Sequence, residues 1–402
     1  MNHPSTPNGR LLFFNGGTRV FGFERRISTL MRGLQQVGYS VMSTVSGWND
    51  GEFPRSLDQA GIQHHTVFLG WLYLSRPTWT LDTLQRLPGA MTTYHRLLRT
   101  FDPHAVFHAS YRSLLMTRWM SRVPNILLVP DQWSKGWEWT LVRALQPFTA
   151  AYVTPSAALS DLLVSKGLPR KKVVTIHNPI DFSTPNRQLL APQLRRPAVI
   201  GLVGQVVDRK GHHVAFHALA HVLRANPSLP ARLRVVGDGS PEKVAGLKQL
   251  AVTLGIDHAV EWRGYVSSKD EMYQDIDFLI TPTIGSEPFG LVVVEAAVYG
   301  KPAVASSIGG LAEIIRDGRT GLLVPPNDHI ALASAMERLL LHPEQRAVLG
   351  RTARLDYEQR FNLELITSRY SDLIQEVIAR RPPINVVRTP SKAGRPPVEI
   401  GA

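Results

Sequence analysis

Two carboxylates, Glu287 and Glu295, stand seven intervening residues apart in the run TPTIGSEPFGLVVVEAAVYGKPAVASSIGGLAEIIRDGRTGLLVPP, residues 281–326. A Pro-Phe-Gly turn lies between them, and a helix beginning near Phe289 would carry Glu295 in its second turn and leave Glu287 just outside its N-terminus. The first amides of a helix have no partner within it. Those of Gly290 and Leu291 would sit between the two carboxylates, at the positive end of the helix, where an anionic phosphate is favoured. The deeper carboxylate, Glu295, is placed to accept from the paired hydroxyls of a ribose. One turn of chain could thus hold a phosphate, a ribose and a third polar group. Taken alone, Glu287 also fits an ordinary helix N-terminal acid, stabilised by the dipole at about 0.3–1 kcal/mol.

The surrounding elements must deliver this turn to a cleft. Short apolar runs alternate with helical patterns and with Gly, Pro, Asn and Asp clusters, which predicts βαβ units on a parallel sheet, and the pattern occurs twice. Strands are expected at 10–14, 39–45, 105–108, 125–129 and 151–154, with a glycine loop at 15–17 and a helix over 23–38. In the second half they are expected at 198–203, 232–236, 260–263, 278–282, 302–306 and 321–324. The proline-bearing stretch 183–197 reads as a linker, which divides the chain into domains at 1–185 and 186–379, the second closed by the helical pattern 343–379. Residues 380–402, with five basic side chains and one acid, read as a disordered tail. In open sheets, ligands collect at the strand carboxyl ends. Gly16 and Gly17 follow the first strand and allow close approach of a substrate to the backbone, and Arg19 in the same loop offers a phosphate contact.

The block 281–326 resembles the signature of the retaining, nucleotide-sugar-dependent group 1 glycosyltransferases of family 4 type, with two glutamates seven residues apart across an EPFGL-type turn. The runs GKPAVAS and DGRTGLLVPP, and the loop Gly309, Gly310, Leu311 with Glu313, fit the same pattern. The resemblance implies the GT-B architecture: α/β, with two Rossmann-like doubly wound parallel-sheet domains facing across a cleft, the first for an acceptor and the second for a nucleotide sugar. It further implies transfer of a sugar to an acceptor hydroxyl with retention, Glu287 positioning the donor sugar and Glu295 holding the ribose. In 199–211, VIGLVGQVVDRKG, Gly204 and Lys210 match the loop that grips the donor diphosphate. Gln205 stands where that family usually has an arginine, and Arg209 is the nearest substitute. Gly237, Asp238 and Gly239 repeat a family Gly-Asp-Gly, and Gly264 with Tyr265 falls in the loop whose backbone meets the base. Phe289, Gly290 and Leu291 complete the donor side. Gly16, Gly17 and Arg19 would face the donor phosphates across the cleft. His108 matches the first histidine of a strand-end His-x-His pattern and joins Glu287 and Lys210 in the implied catalytic set, while Ser110 replaces the second histidine and Pro130, before Asp131, stands where another is common. No cofactor and no metal are implied, because a lysine and a helix N-terminus meet the charge of the leaving diphosphate.

Composition sets outer limits. Hydrophobic residues make up 44% and charged residues 19% of 402, which suits globular domains and excludes a disordered or fibrous chain. There are no cysteines, so disulfides and thiolate chemistry are excluded, and His213, His217 and His221 share a helix face without the acid or cysteine that would complete a zinc site. No run approaches about 18 apolar residues, so a cytoplasmic protein, peripheral on the inner membrane face, is expected. The excess of base lies in residues 1–185, with 19 basic against 10 acidic side chains, whereas 186–379 hold 21 of each. A basic acceptor half suits a lipid-linked acceptor at an anionic membrane surface in polysaccharide or glycolipid synthesis. The aromatic cluster Trp133, Lys135, Trp137 and Trp139 suits carbohydrate stacking, a membrane interface or plain packing. No nucleic-acid recognition motif is present. A non-catalytic nucleotide-sugar-binding protein and a GT-B nucleotide-sugar epimerase are the alternatives, since fold alone does not fix function.

Overall fold

The computed structural model describes residues 8–17, 22–69, 77–120, 122–133, 135–182 and 197–380. Two parallel sheets form. The first contains β1 (Gly9–Phe14), β2 (Tyr39–Ser46), β3 (Gln63–Val67), β4 (Ala105–His108), β5 (Asn125–Leu128), β6 (Ala151–Thr154) and β7 (Val173–Thr175), in the order β3-β2-β1-β4-β5-β6-β7. The second contains β8 (Ala198–Val203), β9 (Ala231–Val236), β10 (Val260–Gly264), β11 (Phe278–Thr281), β12 (Ala303–Ser306) and β13 (Gly321–Val324), in the order β10-β9-β8-β11-β12-β13. Strand order reverses beside β1 in one sheet and beside β8 in the other, so each has a switch point where the outgoing loops diverge and leave a crevice.

The two strands not anticipated, β3 and β7, are the edges of the first sheet. β3 reads QHHTV and buries only Val67, so it carries no apolar alternation to betray it. The helix Gly22–Gln36 buries Ile27, Leu30, Met31 and Leu34, a stripe at i, i+3, i+4 and i+7 that seats it on the first sheet. Beneath it the rings of Phe13 and Phe107 stack 4.4 Å apart.

Residues 343–379 form two helices, and only the first closes the second domain as expected. Pro343–Phe361 packs Ala353, Tyr357 and Phe361 against the second sheet. Asn362 then adopts an extended conformation and its Oδ1 accepts from the Leu365 amide, at 2.8 Å, which caps a new helix, Leu363–Ala379. That helix returns to the first domain, where Ile366, Tyr370, Leu373, Ile374 and Val377 join the core of Ile27, Leu30 and Phe107. The chain therefore crosses between the domains twice, and the crossings lie together: the Ile180 amide donates to the Phe361 carbonyl at 2.9 Å, and Arg32 pairs with Asp181 at 2.5 Å. The linker expected at 183–197 lies, apart from Pro197, outside the described residues, as does the tail beyond Arg380.

Tyr370 is 1% exposed and belongs to the first domain's core although it follows the whole second domain in sequence. Truncation to alanine should cost about 3–5 kcal/mol, as for other large buried aromatics. Chemical denaturation followed by a probe in the first domain should report that loss, whereas a helix belonging to the second domain would leave that probe unmoved.

Candidate functional site

The two loops at the switch point of the second sheet bring the catalytic candidates together. After β8 the chain turns through Gly204 and Gln205 to Lys210, and after β11 it runs from Pro282 to Glu287. The Lys210 Nζ lies 2.5 Å from Glu287 Oε2, and the two side chains are only 16% and 9% exposed. Both line a cavity of about 730 Å³ between the domains. Removing either partner would leave the other charge buried without compensation, so the pair holds both loops.

The helix after Glu287 is Leu291–Val298, two residues later than expected. Its N-cap, Gly290, has φ of 98°, and a Cβ there would meet Leu311 Cδ2 at 2.6 Å, so only glycine permits the turn. Phe289, Gly290 and Leu291 line the cavity beside Glu287, and the helix start points its free amides there. One turn inward, Glu295 is 6% exposed, accepts from the Tyr273 hydroxyl at 2.9 Å and pairs with Lys269 at 2.9 Å. Burial, reinforced by the Glu295 carboxylate, keeps the Tyr273 hydroxyl protonated well above the usual range.

Strands β8, β9 and β10 each end at a cavity-lining or adjoining glycine, Gly204, Gly237 and Gly264. Gly237 has φ of 139° and a Cβ there would lie 2.0 Å from the Gly204 carbonyl oxygen, so this shelf tolerates no side chain. Tyr265 continues the wall, and its hydroxyl donates to Glu52 at 3.1 Å while Arg25 donates to it at 3.2 Å, both from the first domain. Gln205 lines the cavity where the resemblance places an arginine. Arg209 lines it too, donating to the Ser286 carbonyl at 2.9 Å and lying 4.0 Å from Asp131.

The first-domain candidates fare differently. His108 is fully buried, its ring stacked on Phe14 and bonded to Ser113 Oγ at 3.1 Å and Asn125 Oδ1 at 2.9 Å, and it does not reach the cavity. Its placement in the catalytic set is therefore corrected: the residue belongs to the core under β1 and β4. Burial pushes its pKa down to about 4. Ser110, in place of the second histidine, caps the helix Tyr111–Thr117. Gly16 and Gly17 turn at the end of β1, where a Cβ on Gly17 would meet Glu24 Oε1 at 2.5 Å, and neither is among the described residues of the cavity wall. Arg19 lies outside the described residues. The tryptophans pack: Trp133 and Trp139 meet edge to face at 4.8 Å within the core of β5 and β6, leaving Trp137 exposed.

Sequence reasoning missed the across-cleft contributors. Arg26, on the helix Gly22–Gln36, is buried in the cavity wall and donates to Asn178 Oδ1 at 2.7 Å, and burial lowers its pKa. Glu313, from the second domain, accepts from the Ala157 amide at 2.8 Å and from His177 at 3.1 Å in the first. Burial alone would raise the Glu313 pKa, but His177 and the helix-start amides outweigh it and hold the carboxyl below its usual range. Glu313 is recognisable within its GGLAE run, but its partners become apparent only once the domains meet.

Among families, the pattern of "Glycosyl transferases group 1" matches residues 191–356 and that of "Glycosyltransferase Family 4" matches residues 20–184. The chain is 36% identical over 188 residues to a D-inositol 3-phosphate glycosyltransferase of Saccharomonospora viridis, covering 45% of this chain and 43% of the relative. It is 31% identical over 255 residues to one of Stackebrandtia nassauensis, covering 58% and 57%. The chain thus spans about half the length of the curated relatives it matches. Its fold follows Anabaena Alr3699/HepE, solved with UDP-glucose, at a TM-score of 0.76 and 20% identity over 92% of this chain and 100% of the other. Sucrose-phosphate synthase from Thermosynechococcus elongatus gives 0.76 at 18% identity over 92% and 99%. Two parallel-sheet domains and these neighbours establish the GT-B architecture.

The buried histidines set a pH dependence. His108 and His212 are held neutral by burial, each with a pKa down at about 4 against 6.5 for the free side chain. A depressed histidine favours the folded state above the free value, so stability should fall as pH drops from about 6.5 towards 4. Melting temperature should decline across that window, with a shallower slope in His108→Gln, whose nucleotide-diphosphate affinity at neutral pH should stay within about threefold of the parent.

Proposed function

Because the chain belongs to the group 1 glycosyltransferases of family 4 type, we propose that it moves a sugar from a nucleotide-diphosphate sugar to an acceptor hydroxyl. The observation that carries this reading is the Lys210–Glu287 pair at 2.5 Å beside the Leu291–Val298 helix start, inside an interdomain cavity. In the free protein Glu287 neutralises the Lys210 ammonium. An entering diphosphate offers Lys210 a stronger anion, and Arg209 and the amides at Gly290 and Leu291 supply further positive potential. As the glycosidic bond breaks, these groups stabilise the charge that accumulates on the departing diphosphate. Glu287, released from Lys210, holds the sugar hydroxyls and stabilises the positive charge on the sugar ring.

Glu295, fixed by Tyr273 and Lys269, suits the ribose, and the shelf of Gly204, Gly237 and Gly264 with Tyr265 suits the base. With its leaving group met by Lys210, Arg209 and helix amides, the reaction needs no divalent cation in this scheme. Retention at the anomeric carbon follows the family signature carried by 281–326. The basic first domain suits an acceptor with a phosphate elsewhere in the molecule. The relatives' names give an inositol phosphate for those proteins; for this chain the phosphate is that of a lipid carrier in polysaccharide or glycolipid synthesis at an anionic membrane face.

A panel of UDP-, GDP- and ADP-sugars, without acceptor and then with membrane lipid extract, tests the proposal through nucleotide release and transfer of label. Glu287→Gln and Lys210→Met should each lower turnover by about 10²-fold or more. Turnover indifferent to both would overturn the assignment. Donor binding without turnover under any acceptor would favour the non-catalytic reading, and conversion of the donor sugar without an acceptor would favour the epimerase.

A further inference from the structure

The attacking hydroxyl must enter from the first-domain side, because the second domain is occupied by the nucleotide in the reading above. Six polar side chains of the first domain line the cavity: Arg25, Arg26, Asp50, Glu52, Asp131 and Asn178. Most are already engaged away from the reacting centre. Arg25 and Glu52 bond to Tyr265, at the base end. Arg26 and Asn178 bond to each other, and Asp50 Oδ1 accepts from the Glu52 amide at 3.1 Å. Of the six, Asp131 is the one bonded across the cleft to the residue beside Glu287. It follows β5 by three residues, and its Oδ1 accepts from the Gln132 amide at 2.8 Å and, across the cleft, from the hydroxyl of Ser286 at 3.1 Å. Ser286 is the residue before Glu287. Asp131 Oδ2 has no hydrogen-bond partner among the described residues, its nearest charge being Arg209 at 4.0 Å.

A first-domain carboxylate is thus held beside Glu287 with one oxygen still able to accept. Burial, with the Glu287 carboxylate nearby, raises its pKa above the usual carboxylate range, and the Gln132 bond, the Arg209 charge and the Ser286 bond offset that rise only in part. An ionised carboxyl accepts from hydroxyls and cannot donate, and it repels a phosphate brought to the same place. Pro130, the residue before it, has neither a side-chain donor nor an acceptor, so Asp131 is the hydrogen-bonding group that the end of β5 presents to the cleft.

We propose that Asp131 is the acceptor-binding carboxylate of this cleft: its Oδ2 accepts a hydrogen bond from a hydroxyl of a sugar or polyol ring, fixes that ring opposite Glu287, and restricts the reacting end of the acceptor to an uncharged ring. The inference rests on the glycosyl-transfer reading and adds to it the chemical class of the acceptor.

The test uses the full chain with its best donor from the nucleotide-sugar panel and three probe acceptors: myo-inositol, methyl α-glucoside and D-inositol 3-phosphate. Donor hydrolysis in water alone is followed in parallel. In Asp131→Asn the acceptor KM for the neutral rings should rise at least tenfold, and by a clearly larger factor than any change in donor KM or donor hydrolysis. The preference for neutral over phosphorylated rings should shrink by a similar factor. A purely structural role would move donor and acceptor parameters together, and that result overturns the proposal, as does a parent enzyme that hydrolyses donor yet transfers to neither neutral ring. Should Asp131→Asn fail to fold, Asp131→Glu, which keeps the charge, should retain the neutral-ring preference, and its loss would also overturn the proposal. A parent that binds and consumes no donor at all instead refutes the glycosyl-transfer reading before Asp131 is reached.

Discussion

The cleft depends on a buried ion pair. Lys210 and Glu287 come from loops that leave β8 and β11, neighbouring strands at the switch point of the second sheet, and they neutralise each other where neither is well hydrated. Such a pair adds little net stability against an apolar alternative, because desolvating both charges offsets most of their attraction. Its value lies elsewhere. Two charges largely withdrawn from solvent and satisfied by each other can be exchanged: an anion that reaches Lys210 displaces Glu287, whose freed carboxylate is then met by the sugar hydroxyls of the proposed donor. In the proposed reaction, binding of a diphosphate and release of the carboxylate towards the sugar become one event, at a site preorganised by the helix start at Leu291.

The rest of the architecture serves to bring a second wall to that pair. Among the described residues, polar links across the cleft include three: Arg25 and Glu52 to Tyr265, Asp131 to Ser286 beside the pair, and Glu313 to the Ala157 amide and His177. All three are made of exposed or partly exposed bonds, individually weak, and suit surfaces that separate and rejoin. The two chain crossings lie side by side, with Ile180 bonded to Phe361, so a rotation of one domain against the other can be absorbed at a single place. The final helix locks this hinge to the first domain by burying Tyr370 under the Gly22–Gln36 helix.

Much of this was legible in sequence because the reacting residues are local. Glu287, Gly290 and Glu295 sit on one turn and its helix, and their spacing sets the free helix amides between two carboxylates. Interior strands were legible as apolar runs; β3, QHHTV, was not because its residues are polar and largely exposed, and β7, VVT, because three residues are too few to show a period. His108 shows a different limit. A strand buried on both faces gives no alternation to say which face a side chain takes, and the local pattern AVFHAS is the same whether the histidine points to the cleft or, as found, to Ser113 and Asn125. Likewise the helix 363–379 carries an ordinary amphipathic period, and nothing in a period reveals which of two cores it will join. Asp131 was visible as a residue, but its meaning required the other domain.

The most direct test of the exchange at Lys210 is calorimetric titration of the nucleoside diphosphate of the preferred donor into the parent, Lys210→Met and Glu287→Gln. If Glu287 and the diphosphate compete for one ammonium, Lys210→Met weakens binding at least tenfold, whereas Glu287→Gln, which removes the competitor, leaves affinity unchanged or tightens it. Equal weakening by both substitutions would contradict that account and make the pair a structural support.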